Sequence, residues 1–345
     1  MGSLIGLFLH AIGGFAAGSF YMPFKLIKKW QWESSWLVLG VAAWILTPMF
    51  VAWLTLPNLF EVFNASPWDA KLYAFLFGVL WGIGGLTFGL SMRYLGMSLG
   101  MGIALGFTAA FGTLIPPIYD GRILDLVQTK GGLFTLAGVA ICLFGISITG
   151  KAGILKEKEL NDDEKQTSVP DYNLKKGIVI AIISGILSAC FAFGLQAGKP
   201  IADKAVEYGT TDIFMNNGIL VWILWGGFAT NFIWTAILSI RKGSYRDFYD
   251  PKNNRKTRNY LLAAAGGITW YFQFFFYGMG ATFLGEEFEF ASWTLHISFI
   301  LFFSTMWGII FKEWKGVSKK TMLTLGLGLV IILLATILIS LGNNV

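Results

Sequence analysis

The 345-residue chain is 55% hydrophobic and only 13% charged, with 31 Phe, 14 Trp and a net charge of +6, and its mean hydropathy is +0.63. One water-soluble core cannot bury that much apolar surface, so the composition excludes an ordinary globular enzyme and implies an integral membrane protein. Cys142 and Cys190, both in apolar runs, and just two His offer neither a disulfide framework nor a metal-ligand spacing, and no cofactor is expected.

Apolar runs of about 20 residues, each enough for a helix to cross a ~30 Å hydrocarbon layer, recur at 4–24, 35–57, 72–92, 97–119, 132–150, 177–199, 212–240, 260–282, 291–311 and 321–342. No basic segment precedes the first run, which is therefore expected to be retained rather than cleaved. Pro116 and Pro117 remove backbone donors near the end of the fourth run and are expected to kink it. Residues 151–176 carry six Lys and six acidic side chains and read as a cytoplasmic linker between two halves, 1–150 and 177–345. The seventh run is long enough to require tilt. Small residues four apart, as in GVLWG, GLTFG, GMSLG and GIALG, allow close helix packing within the bilayer.

Moving the second half back by 189 positions superposes Gly78 on Gly267, Trp81 on Trp270, Gly89 on Gly278, and Leu95-Gly96 on Leu284-Gly285. Repeats of five spans must be inverted in the membrane, an arrangement of secondary transporters whose substrates bind near the midplane at the repeat interface. The expected fold is all-α, with ten transmembrane helices in two inverted five-helix repeats. Orientation follows from the cations: 21 of the 26 Lys and Arg fall in breaks after odd-numbered spans, against Lys71, Arg122, Lys130, Lys199 and Lys204 elsewhere. Those richer breaks are expected to be cytoplasmic and both termini periplasmic. The basic loop 241–258 then reads as a topology determinant beside anionic headgroups, and no nucleic-acid partner is expected.

Ionisable residues inside such spans are functional candidates by default. His10 and His296 both lie near the outer ends of their runs. Glu289, Ser292, Trp293 and His296 follow a spacing that puts them on one helical stripe. In the eighth run Trp270, Gln273 and Tyr277 likewise share a face. Rings beside an amide suit a sugar, whose C–H face stacks while its hydroxyls seek donors and acceptors. His296, Glu289 and His10 are therefore the candidates for proton coupling. Trp270, Gln273, Tyr277, Ser292, Trp293, Trp81 and Gln196 are the candidates for substrate binding. An imidazole can equally be an interhelical hydrogen bond, Trp293 an interfacial anchor, and Glu286, Glu287 and Glu289 parts of a solvated outer loop.

The motifs FYMPFKLIKKWQWE (20–33), FLFGVLWGIGGLTFGLSMRYLGMS (75–98), WYFQFFFYG (270–278), SWTLHISF (292–299) and FKEW (311–314) make the chain similar to the L-rhamnose/proton symporter family of the drug/metabolite transporter superfamily. The likeness covers nearly the whole chain. It implies import of a 6-deoxyhexose, L-rhamnose, by proton symport through alternating access in a bacterial inner membrane, with His10 and His296 at family positions. Enterobacterial rhamnose members carry Asn where this chain has Gly85, Thr87 and Gln196, and Asp where it has Glu289, which points to an altered sugar site. The partners expected are a small sugar, protons and the lipid bilayer; nothing in the sequence fixes an oligomeric state. An exporter or exchanger of another metabolite on the same fold is the alternative. A membrane enzyme is disfavoured, for no nucleophile-base pair, metal cluster or phosphate loop is visible.

Overall fold

The computed structural model describes residues 2–95, 97–159, 173–250, 253–288, 290–312 and 314–342. Long apolar runs leave no water to satisfy their backbone, so they close their hydrogen bonds internally as helices. Among the described residues the long segments are α1 (Gly2–Ser19), α2 (Trp32–Thr55), α3 (Trp68–Leu95), α4 (Met97–Tyr119), α5 (Lys130–Glu159), α6 (Leu174–Ala197), α7 (Asn217–Lys242), α8 (Lys256–Phe288), α9 (Ala291–Ile310) and α10 (Lys319–Gly342).

Among the described residues, nine of the ten expected spans coincide with helices long and apolar enough to cross a membrane. The remaining expectation, 260–282, falls inside α8, which has the length at 33 residues but is studded at its middle with Trp270, Tyr271, Gln273 and Tyr277. The chain is thus a multi-pass, all-helical membrane protein. α4 runs on through Pro116 and Pro117 to Tyr119, and α5 extends to Glu159, well into the expected linker; residues 160–172 lie outside the described residues.

The helices cluster into two compact units that do not follow the two halves of the chain. One comprises Met1–Gly14, Gly84–Ala192 and Gly280–Val345, the other Phe15–Ile83 and Phe193–Met279. The boundaries fall inside α1, α3, α6 and α8.

In the first unit α5 and α10 lie against each other. A Cβ at Gly328 of α10 would sit 2.5 Å from the Thr149 hydroxyl oxygen and 2.8 Å from its backbone nitrogen, so only glycine permits that approach. The start of α10 is fastened by Ser318, whose hydroxyl accepts from the Thr321 N–H at 3.2 Å as an N-cap. Glu159, at the end of α5, completes the fastening. Its carboxylate accepts from the Ser318 N–H and hydroxyl at 2.6 Å each and from the Thr321 hydroxyl at 2.5 Å. These bonds hold the Glu159 carboxyl below its ordinary range, as expected for an anion accepting several donors at a helix N-terminus.

In the second unit the basic loop is ordered against the start of α2. Buried Glu33 accepts from Ser244 at 2.8 Å and pairs with Lys242 at 3.2 Å. Asp247 accepts from the Gln31 N–H at 2.7 Å and the Ser34 hydroxyl at 2.8 Å. Only part of the loop is therefore free to act as a diffuse cationic patch, a packing role that charge counting did not anticipate.

Candidate functional site

Within the first unit the structure brings together the two His. They come from α1 and α9, 286 positions apart in sequence, with ring centroids 6.1 Å apart and planes tilted by 58°. Both are buried, at 0% and 1% exposure. His296 is five residues into α9, about 8 Å along at 1.5 Å per residue, whereas α1 begins at Gly2 and puts His10 about 12 Å along. His10 packs over Gly280 of α8, where a Cβ would come 2.9 Å from its Nε2.

Residues 291–299 of α9 are buried on every side, which explains why its polar side chains do not form one wet face. Ser292 and His296 share a stripe, and the Ser292 hydroxyl has no hydrogen-bond partner among the described residues. Trp293 is committed to packing. Its Nε1 donates to the Thr108 carbonyl of α4 at 2.9 Å, its ring stacks on Phe191 at 5.5 Å, and a Cβ at Gly112 would collide with the indole. The interior position, 4% exposed, replaces the interfacial anchor allowed by the sequence. On the other sides of α9, Thr294 shares a hydrogen bond with Thr113 at 2.7 Å and Ser298 one with Cys142, also at 2.7 Å. Glu289 lies outside the described residues.

Within the second unit Trp270 sits in a cluster of rings. Phe20 stacks on it at 4.5 Å, Trp36 lies at 5.2 Å and Trp44 at 5.1 Å. Trp44 also borders Trp81 at 6.2 Å, and Trp81 meets Phe274 edge-on at 5.4 Å. Trp270 and Trp81, matched by the internal repeat, are thereby joined through a residue that the repeat does not mark. Gln273 and Tyr277 are buried at 5% and 4%, and the Gln273 Nε2 has no hydrogen-bond partner among the described residues. Gln196 is exposed on α6. Among the described residues no group of three or more His, Cys, Asp or Glu is placed to hold a metal ion.

The first unit has a polar interior bearing two imidazoles, and the second holds an aromatic cluster and the buried Gln273, features that fit carriage of a small polar solute better than lipid-embedded packing alone. Comparison with known proteins agrees. Residues 2–345 match the family model described as L-rhamnose-proton symport protein (RhaT). The chain belongs to that family. It is 38% identical over 340 residues to the L-rhamnose-proton symporter of Escherichia coli strain 55989, covering 98% of this chain and 97% of the relative. It is 37% identical to those of E. coli K12 and Shigella dysenteriae serotype 1 over the same shares of each chain. The family is one of transporters, not enzymes.

Two members of the ring cluster, Trp36 and Trp44, escaped sequence reasoning because each lies in a span crowded with apolar neighbours. One signal was present: Pro48 follows Trp44 by four residues, the spacing at which a proline strips a carbonyl of its helical donor.

Proposed function

We propose that the chain is a secondary active transporter that imports L-rhamnose with protons by alternating access across a bacterial inner membrane, with both termini periplasmic. The observation that carries this reading is the family match over residues 2–345, reinforced by relatives named L-rhamnose-proton symporters that align over 98% of the chain.

The unit boundaries support the ten-helix inverted repeat. They fall in α1 and α3 of the first half and α6 and α8 of the second, the first and third helices of each set of five. The second helix of each set, α2 and α7, belongs wholly to one unit. The fourth and fifth, α4 with α5 and α9 with α10, belong wholly to the other. Halves related by an internal twofold would divide in this way.

His296 is assigned the coupling proton, with His10 as its neighbour and Glu289 as the carboxylate that assists loading. Imidazole suits the task because modest changes in hydration move its charge near physiological pH. Ser292, on the same stripe, is a further polar contact, while Trp293 holds α9 to α4. Trp270, Trp81, Gln273 and Tyr277 are assigned to the sugar side, as is Gln196, which is exposed on α6. A 6-deoxyhexose offers a methyl and C–H face to indole rings and hydroxyls to the amide.

The test is uptake by purified protein in proteoliposomes with an imposed pH gradient and a panel of labelled sugars. L-rhamnose should accumulate in an alkaline lumen and other sugars less so. Exchange of two labelled solutes that never responds to the gradient would replace symport with an exchanger on the same fold.

A further inference from the structure

Helix α2 is interrupted. Its α-helical ends, Trp32–Gly40 and Thr47–Thr55, flank a π-helical turn over Val41–Leu46 in which the Thr47 N–H reaches the Ala42 carbonyl five residues back. The cause is local. Pro48 has no N–H for the Trp44 carbonyl, so the regular ladder cannot pass this point and the helix widens by one residue. Single π turns of this kind re-aim one side chain, and here that side chain is Trp44.

The Trp44 ring folds back over Gly40, where a Cβ would stand 2.9 Å from its Cζ3. It is 1% exposed and meets Trp36 and Trp81 edge-on at 6.0 and 6.2 Å and Trp270 at 5.1 Å. The Trp44 Nε1 has no hydrogen-bond partner among the described residues. Other indoles of the protein are satisfied: Trp30 donates to the Asp247 carbonyl at 3.0 Å, Trp36 to the Asn231 side chain at 3.1 Å and Trp293 to the Thr108 carbonyl at 2.9 Å. Asn231 is itself fixed by donating to the Gly227 carbonyl at 2.9 Å, so Trp36 is held still. Trp222 and Trp225 also lack a partner for Nε1 among the described residues, but both are half-buried; their rings lie 5.7 Å apart, and Trp222 meets Phe63 at 5.6 Å. Among the described Trp residues that lack an Nε1 partner, Trp44 is the one that combines complete burial, a π-helical turn and the ring cluster. A buried indole N–H normally finds an acceptor, and leaving one unmade is costly.

We propose that Trp44 is a specificity-determining residue whose indole N–H donates to one hydroxyl oxygen of the bound sugar while the faces of Trp36, Trp81 and Trp270 receive its C–H surface. This rests on the sugar-transport reading above. The π turn aims the donor, and because the ring is closed off in this structure, the same turn is the local element that yields when sugar enters. A hexose analogue lacking the acceptor hydroxyl leaves the donor buried and unpaired, so the site discriminates by the difference.

The experiment compares wild type with Trp44→Phe, which keeps an aromatic ring and removes the N–H, by calorimetric titration of the purified full chain with L-rhamnose and its 2-, 3- and 4-deoxy analogues. Trp44→Phe should weaken L-rhamnose binding by about five- to thirtyfold, the effect of one lost buried hydrogen bond. One deoxy analogue should lose a similar factor against wild type and nothing further against the variant, because the two changes remove the same bond. Wild-type affinity in Trp44→Phe, or losses that add for every analogue, would overturn the assignment and leave the N–H directed at a neighbouring ring face. Should Trp44→Phe fail to fold, Gly40→Ala decides: the added methyl displaces the indole and should weaken L-rhamnose binding, and unchanged binding overturns the proposal. Absence of L-rhamnose binding by wild type would instead sink the transport reading, and this inference with it.

Discussion

If the coupling proton resides on the histidine pair, as proposed, the spacing of the two rings limits the coupling stoichiometry. Two protonated imidazoles whose centroids lie 6.1 Å apart repel by about 3 kcal/mol at an effective dielectric of about 20, roughly a hundredfold penalty on a second proton. The pair should therefore carry one proton per cycle. For one proton per sugar, each unit of pH gradient is worth about 1.4 kcal/mol and sustains about tenfold accumulation; two protons would sustain about a hundredfold. The assay is steady-state accumulation of labelled L-rhamnose in proteoliposomes, with the membrane potential clamped to zero and the lumen made alkaline in steps. Wild type should rise about tenfold per unit. His296→Gln keeps a hydrogen-bonding side chain that cannot titrate, so it should show no gradient-driven accumulation while retaining sugar exchange across an equilibrated membrane. A hundredfold rise would refute the one-proton pair. Normal accumulation with normal pH dependence in His296→Gln would make that residue a structural hydrogen bond and move the proton to Glu289.

Gln273→Ala should weaken sugar binding by about ten- to a hundredfold, since a buried sugar hydroxyl loses its amide partner, without abolishing proton coupling; unchanged calorimetric affinity would return that face to packing. For topology, Tyr119 and Tyr249 are 87% and 59% exposed. With Cys142 and Cys190 replaced, Tyr119→Cys should react with an impermeant thiol reagent in intact cells and Tyr249→Cys should not; the reverse pattern inverts the protein. The Glu159 carboxyl is held below its ordinary range by Ser318 and Thr321, so its contribution to stability is complete above about pH 5 and is lost as pH falls through the lowered value. The melting temperature of wild type relative to Glu159→Gln should be constant near neutrality and decline in acid, and a difference that persists at low pH would detach the fastening from the charge.

Much of this was legible in the sequence because the bilayer imposes a simple rule: about 20 apolar residues per crossing. The two His stood out because ionisable groups are scarce in such spans. What could not be read was which distant residues meet. Nothing local pairs His10 with His296, or places Trp44 between Trp81 and Trp270. The basic loop 241–258 read only as a topology determinant because a charge count carries no information on partners, yet its Ser244 is bonded to Glu33, 1% exposed and 211 positions away. Trp293 was ambiguous for a related reason: a Trp at the start of a span is an anchor or a core residue according to what faces it, and here Gly112 makes room.

His10 and His296 fall in the first unit with Ser292 and Trp293, and the remaining sugar candidates in the second, yet two helices carry residues of both. α1 bears His10 in the first unit and Phe20 in the second. α8 presents Gly280 to the His10 ring in the first and Trp270 to Phe20 in the second. Symport requires sugar and proton affinities to assist each other by the same factor, because linkage is reciprocal. Such linkage needs an element with two arrangements that both ligands bias. The π turn in α2 supplies a deformable point beside Trp270, and α8 is the continuous helix that carries both Trp270 and Gly280. A sugar that reorders the rings around Trp270 would act on the helix that also bounds His10, and a proton on the histidine pair would act on it from its other portion.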